Sequence, residues 1–201
     1  YSRGLPPQAT YLFKHALIQD TAYQSLLKSK RQQYHQRIAY VLETQFPETT
    51  ETQPELLAHH YTEAGLAEQA IPYWQKAGQK ATQRSANTEA INHLTKGIAL
   101  LMTLPDTPQR VQQELTLQIS LAAPLAVTKG YGASEVGQAY TRAQELCQQI
   151  GEAPQLFAVL RGLWNFYLER AEYKTARETA EQFLSLAQRL QDPVFLLGAH
   201  E

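Results

Sequence analysis

Residues 53–81 read QPELLAHHYTEAGLAEQAIPYWQKAGQKA, and the spacing within this stretch decides the fold. Pro54 stands where a helix can begin, because a first-turn residue needs no N–H for an intrahelical bond. Gly65 stands where that helix can end, since glycine enters the left-handed conformation without a Cβ penalty. A second helical run follows over 67–84. Along the two runs, Leu57, Ala58, Tyr61, Gly65, Ala70, Trp74 and Ala77 form one set of large and small residues. Small residues let two helices cross closely, and large ones fill the gaps between hairpins.

The set resembles a tetratricopeptide hairpin, whose first helix carries Leu, a small residue and Tyr and whose second carries Ala, an aromatic and Ala. Laid one helix later, the spacing recurs at Trp74, Ala77, Gly78, Ala81, Ala90 and Leu94. The run over 67–84 can therefore close one hairpin and open the next. A third register reads Leu160, Leu163, Tyr167, Ala171 and Ala176, with Ala180 where a large residue is expected. The intervals are irregular. They resemble the longer, degenerate tetratricopeptide-like repeats of bacterial signalling proteins rather than the 34-residue consensus.

The rest of the chain is rich in Ala, Leu, Gln, Glu and Arg, with little β-branched alternation. Helices are expected over about 15–27, 29–45, 54–64, 67–84, 87–103, 108–127, 134–150, 154–170, 173–191 and from 193 onward, joined by short connections into antiparallel hairpins. One short strand is expected in TYLF, residues 10–13. Thr107 with Pro108, Ser134, and Asp192 with Pro193 are expected helix starts. Pro124 is expected to kink or end its helix. The fold class expected is all-α: antiparallel tetratricopeptide-like hairpins forming a right-handed solenoid.

Composition narrows the function. The 201 residues carry 18 basic and 19 acidic side chains, a formal charge of -1, and so no global attraction to nucleic acid or anionic membranes. Cys147, the single cysteine, cannot pair within the chain and is expected to be a buried small hydrophobe. The longest apolar run, residues 119–127, is too short to cross a bilayer, no signal peptide is read, and a cytoplasmic location is expected. The chain opens at Tyr1 and stops at Glu201 inside an apolar pattern, so a longer parent polypeptide is expected.

Searches for catalytic chemistry return little. No phosphate-cradling GxxxxGK[ST], HExxH, CxxC or GxSxG occurs, and the aspartates Asp20, Asp106 and Asp192 are scattered. His59 and His60 are adjacent, so their side chains leave a helix about 100° apart. Without a partner one turn away they hold no common ion; one is expected to pack and the other to face solvent, and no metal site is expected. Lys28, Lys30, Arg31 and Arg37, beside Tyr34 and His35, divide between two helical faces and are expected to be solvated.

Residues 11–43, YLFKHALIQDTAYQSLLKSKRQQYHQRIAYVLE, together with the opening stretch, closely resemble the multidomain bacterial signal-transduction ATPases, including those fused to class III adenylate or guanylate cyclases or to protein kinases. In that family an ATPase module and a winged-helix domain precede a tetratricopeptide array. The resemblance implies that residues 1–45 are the tail of the winged helix and residues 46–201 the repeat domain. It also implies that FKHALIQD matches the motif whose histidine contacts the β-phosphate of ADP, which places His15 in that role. Asp20 matches the motif, whereas Ala16 stands where an acidic residue is usual. A histidine that caps or packs the helix start is the alternative.

The resemblance further implies a regulatory segment that is not itself an enzyme and holds no cofactor, with ATP or ADP and magnesium belonging to the parent. Its partners would be the parent's own ATPase domain and a protein or peptide on the concave repeat face, near His60, Arg161 and Asn165; no membrane and no nucleic acid are expected. The alternative is the repeat and winged-helix region of an ATPase-type transcriptional activator that binds nucleic acid.

Overall fold

The structure is a computed structural model that describes residues 2–3, 10–11, 16–151 and 154–190. His15, Phe13, Asp192 and the helix expected from residue 193 lie outside the described residues. Ser2–Arg3 (β1) pairs antiparallel with Thr10–Tyr11 (β2), with Ser2 opposite Tyr11. Ten described helices follow: α1 Ala16–Ser25, α2 Lys28–Gln45, α3 Pro47–Thr52, α4 Pro54–Glu63, α5 Ala67–Gln83, α6 Asn87–Leu101, α7 Pro108–Lys129, α8 Ser134–Ile150, α9 Leu156–Glu169 and α10 Tyr173–Leu190. From α4 onward each helix packs on the next, and α2 packs on α4. No described helix is long and apolar enough to cross a membrane.

The core is distributed along the chain. Ala39, Leu57, Ala58, Tyr61, Ala70 and Trp74 join α2, α4 and α5. Ile71, Leu94, Leu101 and Leu117 continue it through α5, α6 and α7. Leu115, Ala143, Leu146, Cys147, Val159 and Leu163 fill the next space, and Phe157, Leu160, Phe183 and Ala187 close it against α10. The pattern residues Ala77, Gly78, Ala90 and Ala176 are buried as well, and Tyr167 is half-buried. Cys147 is buried, as its helical context implied, and burial pushes its thiol pKa up.

Turn geometry repeats with the helices. Gly65, Ser85 and Ala171 each take a positive φ, of 76°, 61° and 56°, directly after α4, α5 and α9. In each turn the following amide bonds the carbonyl five residues back: Leu66 to Tyr61, Ala86 to Ala81 and Glu172 to Tyr167, all at 2.9 Å. This is the Schellman closure, which satisfies an orphan carbonyl at a helix end. Only one of the three is glycine, so the shared turn is set by hairpin packing as well as by residue type.

Local expectations are corrected at Pro124, as to where its helix ends, and at Ser134. Pro124 does not end its helix: α7 runs on to Lys129, because Leu125 and Ala126 bury against Val136 and Ala139 on α8. That packing offsets the intrahelical hydrogen bond a proline omits. The cap of α8 is Ala133 rather than Ser134, whose hydroxyl donates to Glu135. Thr107 does cap α7, accepting from the Arg110 amide at 3.2 Å. The short helix α3 was not anticipated. Its sequence PETTET has no apolar period, and its last carbonyls are satisfied from 28 or 29 residues away, where the Lys80 ammonium donates to Glu51 and Thr52 at 3.0 and 2.6 Å.

Close approach has a testable consequence at Gly78. A Cβ there would fall inside the van der Waals radius of Leu94 Cγ, on a side chain with no exposure to solvent. Alanine in a helix is ordinarily worth up to about 1 kcal/mol over glycine. Overpacking costs roughly 1–3 kcal/mol and wins here. Gly78→Ala is therefore expected to lower the melting temperature; an unchanged or raised value would show that α5 and α6 do not cross at this point.

Candidate functional site

Two regions gather polar chemistry. The first is the joint where α1 and α2 meet α4. His35 on α2 is buried, His59 on α4 is exposed and His60 beside it is half-buried. Their ring centroids lie 5.0–5.7 Å apart, and His35 Nδ1 stands 2.8 Å from His60 Nδ1. On the other side of the His35 ring, Nε2 meets the Tyr23 hydroxyl at 2.9 Å, and that hydroxyl donates to Glu63 at 3.5 Å. The Arg31 guanidinium lies over the Tyr23 ring. Burial holds the His35 pKa below its usual value, and burial with the neighbouring imidazoles pushes His60 down to about 4.

One ring nitrogen from each of the three histidines lies within 4.8 Å of the other two. Adjacent helical positions were expected to keep His59 and His60 from sharing an ion. The expected division, one ring outward and one inward, is present. The missing partner, however, comes from α2 rather than from one turn along α4, so spacing within a single helix could not reveal it.

Beside the histidines, Glu43 on α2 accepts from the Tyr61 hydroxyl on α4 and the Tyr73 hydroxyl on α5, both at 2.5 Å. The two rings stack at 5.8 Å. Burial and the carboxylate push the Tyr61 hydroxyl up to about 12 and Tyr73 higher still, so both remain donors at neutral pH. This carboxylate ties α2 to the first hairpin. The division expected at 45/46 falls between α2 and α3, yet Ala39 and Leu42 of α2 share the core of α4 and α5.

The second region is a pair of open clefts on successive helices. One, of about 440 Å³, lies where α6 and α8 flank α7, and Thr95, Gln118 and Gln138 are among its walls. The other, of about 670 Å³, lies where α8 and α10 flank α9, walled by Gln144, Gln148 and Gln182 among others. Arg161 is exposed and Asn165 half-buried, and neither lines these clefts; His60 belongs to the histidine cluster. Repeat patterning marks the faces that bury. It does not mark which flank opens between a helix and its second neighbour.

Arg142, at the edge of the first cleft, forks onto Glu114 of α7: Nε donates to Oε1 at 2.6 Å and Nη2 to Oε2 at 3.2 Å. Glu114 is only 2% exposed, and Arg110 approaches it at 3.8 Å from one turn away. In the sequence this network shows only as helical spacings, Asp106–Arg110, Arg110–Glu114 and Arg142–Glu145, and the pairing of Glu114 with Arg142 has none. FKHALIQD is seen from Ala16, where α1 begins with no acid in its first turn; Asp20 is exposed.

No protein-family model matches the chain. It is similar to an uncharacterized protein of Rhizobium meliloti (strain 1021), with 25% identity over 191 residues that cover 94% of this chain and 18% of that protein. The chain thus spans less than a fifth of that relative's length.

Proposed function

We propose that the chain is a non-catalytic regulatory segment of a larger signal-transduction ATPase, a right-handed tetratricopeptide-like solenoid preceded by the tail of a winged helix. The observation that carries this reading is the burial of Leu57, Ala58, Tyr61, Ala70, Trp74 and Ala77 across α4 and α5, the positions the repeat pattern singles out. Nearest-neighbour packing from α4 to α10 supports it, since stacked repeats contact chiefly their neighbours. The similar stretch of a much longer protein supports a place within a multidomain polypeptide.

In this reading the polar clefts between α6, α8 and α10 receive a protein or peptide, and the N-terminal joint passes that event to the upstream ATPase module. ATP or ADP with magnesium belongs to the parent's module, and His15 is the residue of this chain that contacts the nucleotide. The output is a nucleotidyl cyclase or a kinase.

The test is made in the full-length parent. His15→Ala removes one hydrogen bond to a charged phosphate, worth about 1.5–3 kcal/mol. ADP release is expected to quicken by roughly ten- to a hundredfold while the melting temperature of the 201-residue chain stays the same. Because the contact exists only in the ADP-bound closed state, the open population should also rise. Unchanged ADP release, or a parent that binds no adenine nucleotide, overturns the reading. Salt-sensitive, sub-micromolar binding of duplex DNA by the chain would favour a transcriptional activator instead.

A further inference from the structure

We infer that His35, His59 and His60 form a binding site for a divalent transition metal of the zinc type, which clamps α2 to α4. Three observations converge. The donors come from two helices and converge on one place, with a nitrogen of each ring within 4.8 Å of the others. Zinc binds imidazole nitrogen at about 2.0–2.1 Å, so nitrogens sharing a tetrahedral ion stand roughly 3.3 Å apart. The His35–His60 pair, at 2.8 Å, has to open slightly, and exposed His59 has to swing inward. Both changes are side-chain rotations.

The second observation is the support behind the buried ligand. Metal-bound histidines generally hand their other ring N–H to an oxygen, which sets the tautomer and aims the ring. At His35 that oxygen is the Tyr23 hydroxyl, 2.9 Å from Nε2, itself directed to Glu63. With Nε2 protonated, the Nδ1 lone pair of His35 points into the cluster. His60 Nδ1 then carries the proton of the 2.8 Å contact. An ion enters when His60 shifts that proton to its Nε2, so the imidazoles stay neutral and no proton has to leave.

The third is the donor set and its access. All-nitrogen ligation selects zinc, nickel or copper over magnesium and calcium. His59 faces solvent and gives an entry path, and three protein ligands leave a fourth position for water. The clamp would hold the N-terminal helices against the first repeat hairpin, at the joint that Glu43 already bridges.

Zinc chloride titrated calorimetrically into the untagged 201-residue chain is expected to saturate at one ion per chain and to raise the melting temperature. Magnesium chloride should do neither. His59→Ala removes an exposed side chain, so its metal-free melt should match the parent while its zinc affinity falls at least tenfold. Tyr23→Phe, which leaves all three ligands, should weaken zinc about tenfold. Failure to saturate near one ion per chain, or equal zinc affinity in His59→Ala and the parent, overturns the site and leaves a hydrogen-bonded histidine pair.

Discussion

Trp74→Ala is expected to destabilise the chain by about 3–5 kcal/mol, the usual cost of emptying a buried tryptophan site. Trp74 is 4% exposed and reaches from α5 to both neighbouring helices. Toward α4 it packs with Leu57, Ala58 and Tyr61, and its Nε1 donates to Thr62 Oγ1 at 2.9 Å. Toward α6 its ring stacks on His93 at 5.3 Å, with the Lys96 ammonium 4.8 Å above it. Short turns at Gly65 and Ser85 tie α4, α5 and α6 together and limit how far the helices can close on the space left behind. For a domain of this size each kcal/mol shifts the melting temperature by roughly 2–4 °C, so a drop of about 10 °C is expected. Trp74→Phe keeps the apolar bulk and should lose much less. A loss below about 1 kcal/mol for the alanine variant would remove the basis for the repeat register.

Arg142→Ala is expected to cost about 2–3 kcal/mol, less than for a fully buried ion pair, because Glu114 is buried but Arg142 is partly exposed. The size comes from what remains rather than from what is removed. Glu114, 2% exposed in the intact chain, loses its two-pronged partner and keeps only the more distant Arg110 nearby. Surface pairs such as Arg177 with Glu181 face water on both sides and should each contribute well under 1 kcal/mol. A double variant separates charge from packing. Glu114→Leu combined with Arg142→Ala removes the buried carboxylate, while Arg110 keeps Asp106 as a partner at 3.2 Å, and should recover much of the loss. Equal losses in the single and double variants, read from urea or thermal unfolding, would assign the effect to packing instead.

The legible part of the fold lay where one helix supplies its own signal. Leu57, Ala58, Tyr61, Ala70, Trp74 and Ala77 were readable because burial on one side of a helix imposes a helical period on its own sequence. Thr107 was readable as a cap because its partner, the Arg110 amide, is three residues away. The spacing in 53–81 therefore determined, without coordinates, that α4 and α5 form a hairpin and which residues face its core.

Tertiary structure decided everything that depends on a partner far along the chain. The α3 helix forms because a lysine of α5 meets its carbonyls, and α7 passes through Pro124 because α8 covers the residues that follow. Glu114 is paired across 28 residues by Arg142. His35 acquires His59 and His60 only when α2 lies on α4, 25 residues from His60 in sequence. Periodicity records which way a side chain points relative to its own helix axis. Which side chain it then meets depends on how the helices cross, and that is set by the packing of several segments at once.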